Sequence, residues 1–224
     1  VTRDEQHLTR GRANTLRLAL SGQLGTSALT DPALWDTMDL CVSCKGCKRE
    51  CPTGVDMARM KIEVMHQVRQ KHGLGLRERL VAYLPDYARH AARWSGLLNA
   101  RNKTGWMARV LEQVAGISSR RSLPTWESRH FFNRGTMGVS ASQALASDKA
   151  VVLFVDTFNG HFESETALDA FKVLSAAGYD VHVAAKTDLG HGANQGHLCC
   201  GRTYLSTGLV DQAQASSISA RVAA

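Results

Sequence analysis

The sequence predicts a helical domain over residues 1–116, a linker over 117–149 and the first part of an α/β domain over 150–224. Three observations carry that division. Apolar residues recur at helical spacing on both sides of a tight cysteine run; the period is lost after Ile117; and two short β-branched stretches with a helical pattern between them follow Lys149. With 224 residues and 44% apolar content, the chain can bury the core of one large or two small domains.

The elements follow in order. In RGRANTLRLALSG, residues 10–22, helical spacing sets Ala13, Leu16, Ala19 and Leu20 on one side and Gly22 at the stop. Asp31-Pro32 opens a second helix that carries Leu34, Trp35 and Met38 into Cys41. After the cysteines, Asp56 is the expected N-cap of a helix with Met57, Met60, Val64 and Val68 on one face, a stripe read as core. From Leu74 to about Gly116 the pattern stays helical and basic, with Leu80, Tyr83, Leu84 and Tyr87 sharing a face, a break near Pro85, then Leu97, Leu98, Trp106, Val110 and Val114. Trp94, Trp106 and Trp126 are expected to be packing residues. Residues 117–149 are rich in serine and turn formers, with no sustained period. Beyond them AVVLFVDTF reads as a buried strand, Glu163–Ala177 as a helix stopped by Gly178, and YDVHVAA as a second strand. That order implies parallel strands with a right-handed crossover, and sites in such units lie beyond strand C-termini. It points to Asp156, Thr157, Asn159 and the loop leading to Cys199.

Four of the six cysteines fall in CVSCKGCKRECP, residues 41–52. Disulfides among Cys41, Cys44 and Cys47 would close very small strained loops. Structural zinc usually draws two ligands from one knuckle and two from a distant segment, so four ligands in so short a run crowd one tetrahedral ion. The spacing C-x2-C-x2-C-x3-C-P is instead that of the bacterial iron–sulfur run, with zinc as the alternative. Cys41, Cys44, Cys47 and Cys51 are the candidate ligands of a [4Fe-4S] cluster. Lys45, Lys48 and Arg49 are placed to offset its negative charge or merely to solvate the loop, and Gly46 to let the backbone turn closely. In two-cluster ferredoxins the last cysteine of such a run ligates the other cluster, so Cys51 either closes this cluster or belongs to a neighbouring one.

Charge and hydropathy exclude more than they assign. The 27 basic residues exceed the 20 acidic ones for a net +7, but they are interleaved with alanine and leucine at helical spacing and form no basic arm. A solvated face is expected, and no nucleic-acid partner. No apolar run is long enough for a transmembrane segment, and the first residues lack the pattern of a signal peptide, so a cytoplasmic location is expected. The absence of an initiator Met and the Ala223-Ala224 ending suggest a piece of something longer.

The segment HLCCGRTYLSTGLVDQA, residues 197–213, resembles the CCG motif of the cysteine-rich domain found in heterodisulfide reductase and in the iron–sulfur subunits of glycolate and anaerobic glycerol-3-phosphate dehydrogenases. Together with RDEQHLTRGRANTLRLALSG, LCVSCKGCKRECPTGVDMARMK and LFVDTFNGHFESETALDAFKVLSAAGYDV, it most closely resembles the C-terminal half of large FAD-linked oxidases of the D-lactate and D-2-hydroxyglutarate dehydrogenase kind. The likeness covers nearly the whole chain. It implies an α-helical ferredoxin-like iron–sulfur domain, a linker and a partial α/β cysteine-rich (CCG) domain.

In function the resemblance implies an electron relay. An upstream flavin domain, with FAD, would oxidise a D-2-hydroxy acid, and electrons would leave it one at a time through iron–sulfur centres toward an acceptor that the sequence does not identify. Members of this family carry further cysteines just before the segment matching Val1-Thr2-Arg3-Asp4, and a peripheral position at the inner membrane face is compatible with the role. The alternative is a separate iron–sulfur subunit of a complex like heterodisulfide reductase or glycerol-3-phosphate dehydrogenase. The chain departs from the fullest CCG pattern, because its first strand ends in Asp156-Thr157 rather than cysteine. For Cys199 and Cys200 four readings stay open: cluster ligation, a reduced packing pair, a zinc site assisted by His191 and His197, and contacts to substrate or acceptor.

Overall fold

The computed structural model describes residues 2–135, 137–189 and 197–223. Among the described residues there are thirteen α-helices and one two-stranded parallel sheet. The chain divides into two compact units, Val1–Glu78 with Tyr204–Val210, and Arg79–Thr203 with Asp211–Ala224. No helix among the described residues is long and apolar enough to cross a membrane.

The first unit holds α1 (Thr9–Leu20), α2 (Pro32–Asp39), α3 (Gly46–Glu50) and α4 (Met57–His72). Both predicted N-caps are present: the Asp31 carboxylate accepts from Ala33 N, with Pro32 opening α2, and the Asp56 carboxylate accepts from Arg59 N. Leu16 and Ala19 of α1, Leu34 and Met38 of α2, and Met57 and Val64 of α4 form the core. Met38 and Met57 are fully buried, each contributing about 1.5–3 kcal/mol of apolar burial. The expected stripe on α4 is rotated, since Met65 is buried while Met60 lies on the surface. Leu20 of α1 is also exposed.

A polar link supports this core. The Arg12 side chain is buried in α1 and donates from Nε to the Thr37 carbonyl of α2 at 3.0 Å. Thr37 in turn donates to Ala33 O and accepts from the Gln6 amide at 2.8 Å. Gly11 is required by close approach, because a Cβ there would collide with the Glu5 carbonyl oxygen. Gly208 comes equally close to Met65 of α4, and its carbonyl lies 3.1 Å from His66 Nδ1.

α5 (Leu76–Ala82) carries the chain into the second unit, where α6 (Leu84–Arg93), α7 (Ser95–Lys103) and α8 (Gly105–Ala115) follow. Pro85 stands in the first turn of α6 and accounts for the break before it. Two asparagines of α7 each pair with both backbone groups of one residue further on, Asn99 with Trp126 and Asn102 with Leu123, at 2.8–2.9 Å. Buried Arg101 between them donates to the carbonyls of Ser118 and Arg121. The tryptophans part company here. Trp126 packs against Phe162 with ring centroids 4.4 Å apart, whereas Trp94 and Trp106 are about two-thirds exposed, at 68% and 67%. Expected as packing residues, those two sit at the ends of short helices whose buried faces are supplied by alanines 88, 92 and 108.

The predicted β-α-β unit is present. β1 (Ala150–Leu153) and β2 (Asp180–Val183) pair in parallel, Ala150 opposite Asp180 and Leu153 opposite Val183, with α10 (Thr157–His161) and α11 (Ser164–Ala176) between them. α9 (Ala141–Leu145) precedes β1 with a capping box made by Ser140 and Gln143. α12 (Arg202–Ser206) and α13 (Val210–Ala223) complete the chain. Phe131, Val155 and Ala167 form the core of the α/β part. Gly138 bridges antiparallel to His182, and Val139 N donates to Val181 O at 3.0 Å. At φ +83°, with a Cβ that would strike the Val181 carbonyl, position 138 is restricted to glycine twice over.

Gly138→Ala should therefore destabilise the protein by about 1–3 kcal/mol in chemical denaturation, with an unchanged denaturant slope. A midpoint equal to that of the unsubstituted chain would show that this contact does not constrain the sheet edge.

Candidate functional site

α2 hands the chain directly to the cysteine run, with Cys41 N donating to Met38 O at 2.9 Å. Cys41 and Cys47 are half-buried against the core formed by α1, α2 and α4, Cys44 is exposed, and Cys51 is the half-buried C-cap of α3. Ser43 and Lys45 have φ of +56° and +59°, a left-handed conformation that costs L side chains of order 1–3 kcal/mol each. Gly46 itself opens α3. A Cβ at Gly46 would meet Cys44 Sγ at an ordinary 3.6 Å.

Two charged side chains anchor this loop. Lys61 of α4 donates to Asp39 O at 3.0 Å and to Cys41 O at 2.8 Å, while lying 5.5 Å from the centre of the Trp35 ring. Burial lowers its pKa, against the opposing pull of Cys41 and Asp39. Lys45 and Lys48, expected to offset cluster charge, approach the Asp56 carboxylate at 3.6 and 3.8 Å. The Arg59 N–H and then these lysines hold the Asp56 carboxyl below the usual carboxylate range.

The Cys51 thiol is eased toward its anion. Its sulfur lies 3.1 Å from the Thr53 hydroxyl, and that bond, followed by backbone N–H groups at Val55, Thr53 and Gly54, pulls the thiol below its ordinary pKa. All six cysteines are free thiols, and among the described residues no three or more His, Cys, Asp or Glu side chains are arranged to hold a metal ion. The donor chemistry fits a cluster in type: four soft thiol groups within one short segment, the last of them with a lowered pKa, and ammonium groups on the same segment.

In the second unit, the loop after β1 brings together the residues that the strand-end rule indicates. Asp156 caps α10 through Asn159 N at 2.8 Å and holds the Asn159 side chain at 3.0 Å. Buried Thr157 lies 3.3 Å from His197 Nε2 and hydrogen bonds with Cys199. Gly201 N donates to Cys199 Sγ at 3.4 Å, yet burial pushes this thiol up, so it is held protonated where Cys51 is eased toward its anion. Cys200 is exposed. His191 lies outside the described residues.

Three histidines separated by more than thirty residues each in sequence meet beside this loop, and periodicity gave no sign of it. His161 is fully buried at the end of α10, with its ring 4.5 Å from that of His130 and 4.9 Å from that of His197. Phe132 stacks on His197 at 4.7 Å. Neither ring nitrogen of His161 has a hydrogen-bond partner, nor has His130 Nδ1. Burial, reinforced by the charges of His197 and His130, lowers His161 to about 3; burial, with Lys186 and His130, lowers His197 to about 4. The rings line a cavity of about 560 Å³ that Arg89 and Arg93 of α6 also face. Only the position of His161 just beyond Asp156-Thr157-Asn159 could have drawn attention to it.

Among curated proteins, the chain is similar to a D-2-hydroxyglutarate dehydrogenase of Pseudomonas putida, with 22% identity over 221 residues. The match covers 82% of this chain and 22% of the relative, so the chain spans about a fifth of that enzyme's length. No family model and no solved structure matches.

The buried imidazole sets a pH dependence. His161 falls from an ordinary 6.5 to about 3 in the folded chain, so between these values the unfolded chain binds more protons. Its contribution to stability is complete above pH 6.5 and is lost as pH falls through that window. The melting temperature should fall between pH 7 and pH 4.5, with a shallower fall in His161→Phe; identical profiles would refute the buried neutral state.

Proposed function

We propose that the chain is the iron–sulfur electron-transfer module of a FAD-dependent D-2-hydroxy-acid dehydrogenase, of the D-lactate or D-2-hydroxyglutarate type. The observation that carries this reading is the C-x2-C-x2-C-x3-C-P run on a loop anchored to α2 and α4. The similarity to a dehydrogenase supports the same class of chemistry.

Cys41, Cys44, Cys47 and Cys51 would hold a [4Fe-4S] cluster, which supplies one-electron redox chemistry when bound. The other residues act on the ligands. Thr53 and the N–H groups at Thr53, Gly54 and Val55 lower the Cys51 pKa and so favour the form that ligates a metal. Lys61 fixes the carbonyl of Cys41 and so the start of the loop, while Asp56 draws in Lys45 and Lys48 and fixes its end. The FAD-binding dehydrogenase domain is the partner, upstream in the same polypeptide. No nucleic acid enters this reading.

Anaerobic reconstitution followed by iron, acid-labile sulfide and zinc quantification tests it. About four irons and as many sulfides per chain are expected, lost in Cys41→Ser. Loss in Cys51→Ser would make that thiol a ligand of the same cluster, whereas retention would assign it to a neighbouring one. Stoichiometric zinc in place of iron after anaerobic reconstitution would overturn the proposal.

A further inference from the structure

We propose that the cavity bordered by His130, His161, His197 and Arg93 is a binding site for a small organic carboxylate with an apolar carbon body. The site lies wholly in the second unit and is independent of the cysteine run.

Four observations converge on it. The volume of about 560 Å³ suits a small molecule rather than a single ion. His161, with no exposed surface, faces the cavity with both ring nitrogens unpartnered, and His130 Nδ1 is unpartnered beside it. A buried polar group left unpaired is costly, and a ligand oxygen accepting an imidazole N–H would relieve that cost. Arg93 of α6 borders the same wall, and the planar fork of its guanidinium matches carboxylate geometry. Glu127, whose charge reaches His130, is engaged by the N–H and hydroxyl of Ser164.

The remaining wall selects against a bare inorganic anion. Phe132 stacked on His197, together with Ala92, Val183 and Ala184, offers carbon surface that only an organic body can cover. The depressed pKa values of His161 and His197 agree with neutral rings, which donate one hydrogen bond each rather than presenting a second cation. The ligand charge then falls to Arg93 and its hydrogen bonds to the imidazoles.

Benzoate is a direct probe, titrated into the full chain by calorimetry and by NMR of the histidine rings. Saturable binding with Kd of about 1 mM or tighter is expected, moving the ring signals of His161 and His130. Benzyl alcohol, which keeps the body without the charge, and sulfate, which keeps charge without the body, should each bind at least about tenfold more weakly. Arg93→Gln, at an exposed position, should weaken benzoate by about tenfold or more, and His161→Phe should abolish the ring response. If His161→Phe does not fold, Arg93→Gln and the two comparison ligands still decide. Absence of saturation, sulfate binding as well as benzoate, or an unchanged Kd in Arg93→Gln would overturn the assignment, as would zinc binding that moves the same rings and that benzoate does not compete away. None of these readouts involves Cys41–Cys51, so failure here is distinct from failure of the electron-transfer reading.

Discussion

The cysteine loop depends on Asp56. One carboxylate caps α4 through Arg59 N and draws in the ammonium groups of Lys45 and Lys48, so the end of the loop, its middle and the following helix share one electrostatic anchor. The other end is held by Lys61, which reaches back from α4 to the carbonyls where α2 stops. Between these anchors Ser43 and Lys45 adopt left-handed conformations that an isolated peptide would avoid. Such strain persists when the surroundings over-determine it. Here they do, and the result is a backbone already curled before any metal is considered.

The two units treat their ionisable groups in opposite ways. Around Cys51, hydrogen-bond donors favour the anion and outweigh the desolvation that opposes it. Around His161 and Cys199, burial dominates and favours the neutral forms. A run of four thiols whose last member is eased toward its anion contrasts with neutral imidazoles beside arginine. The same chain thus presents two environments with different chemical uses.

Much of the scaffold was legible in sequence because its signals are local. Asp31-Pro32 and Asp56 are caps whose function needs only a few following residues, and the β-branched runs around residues 151 and 181 declare their strands without reference to distant chain. What was hidden depends on long-range packing. His130, His161 and His197 share no period, and each alone reads as a loop or helix-end residue. Trp94 and Trp106 look like core by type, but alanines take the inward positions on α6 and α8. The left-handed conformations fell on Ser43 and Lys45, where residue type gives no cue.

The central claim is that the cysteine run takes up electrons singly. Reductive titration of the anaerobically reconstituted chain, followed by low-temperature EPR, tests it most directly. The account predicts uptake of about one electron per chain, with a paramagnetic signal that Cys41→Ser lacks. A chain that accepts no electrons and stays silent at every potential would contradict it.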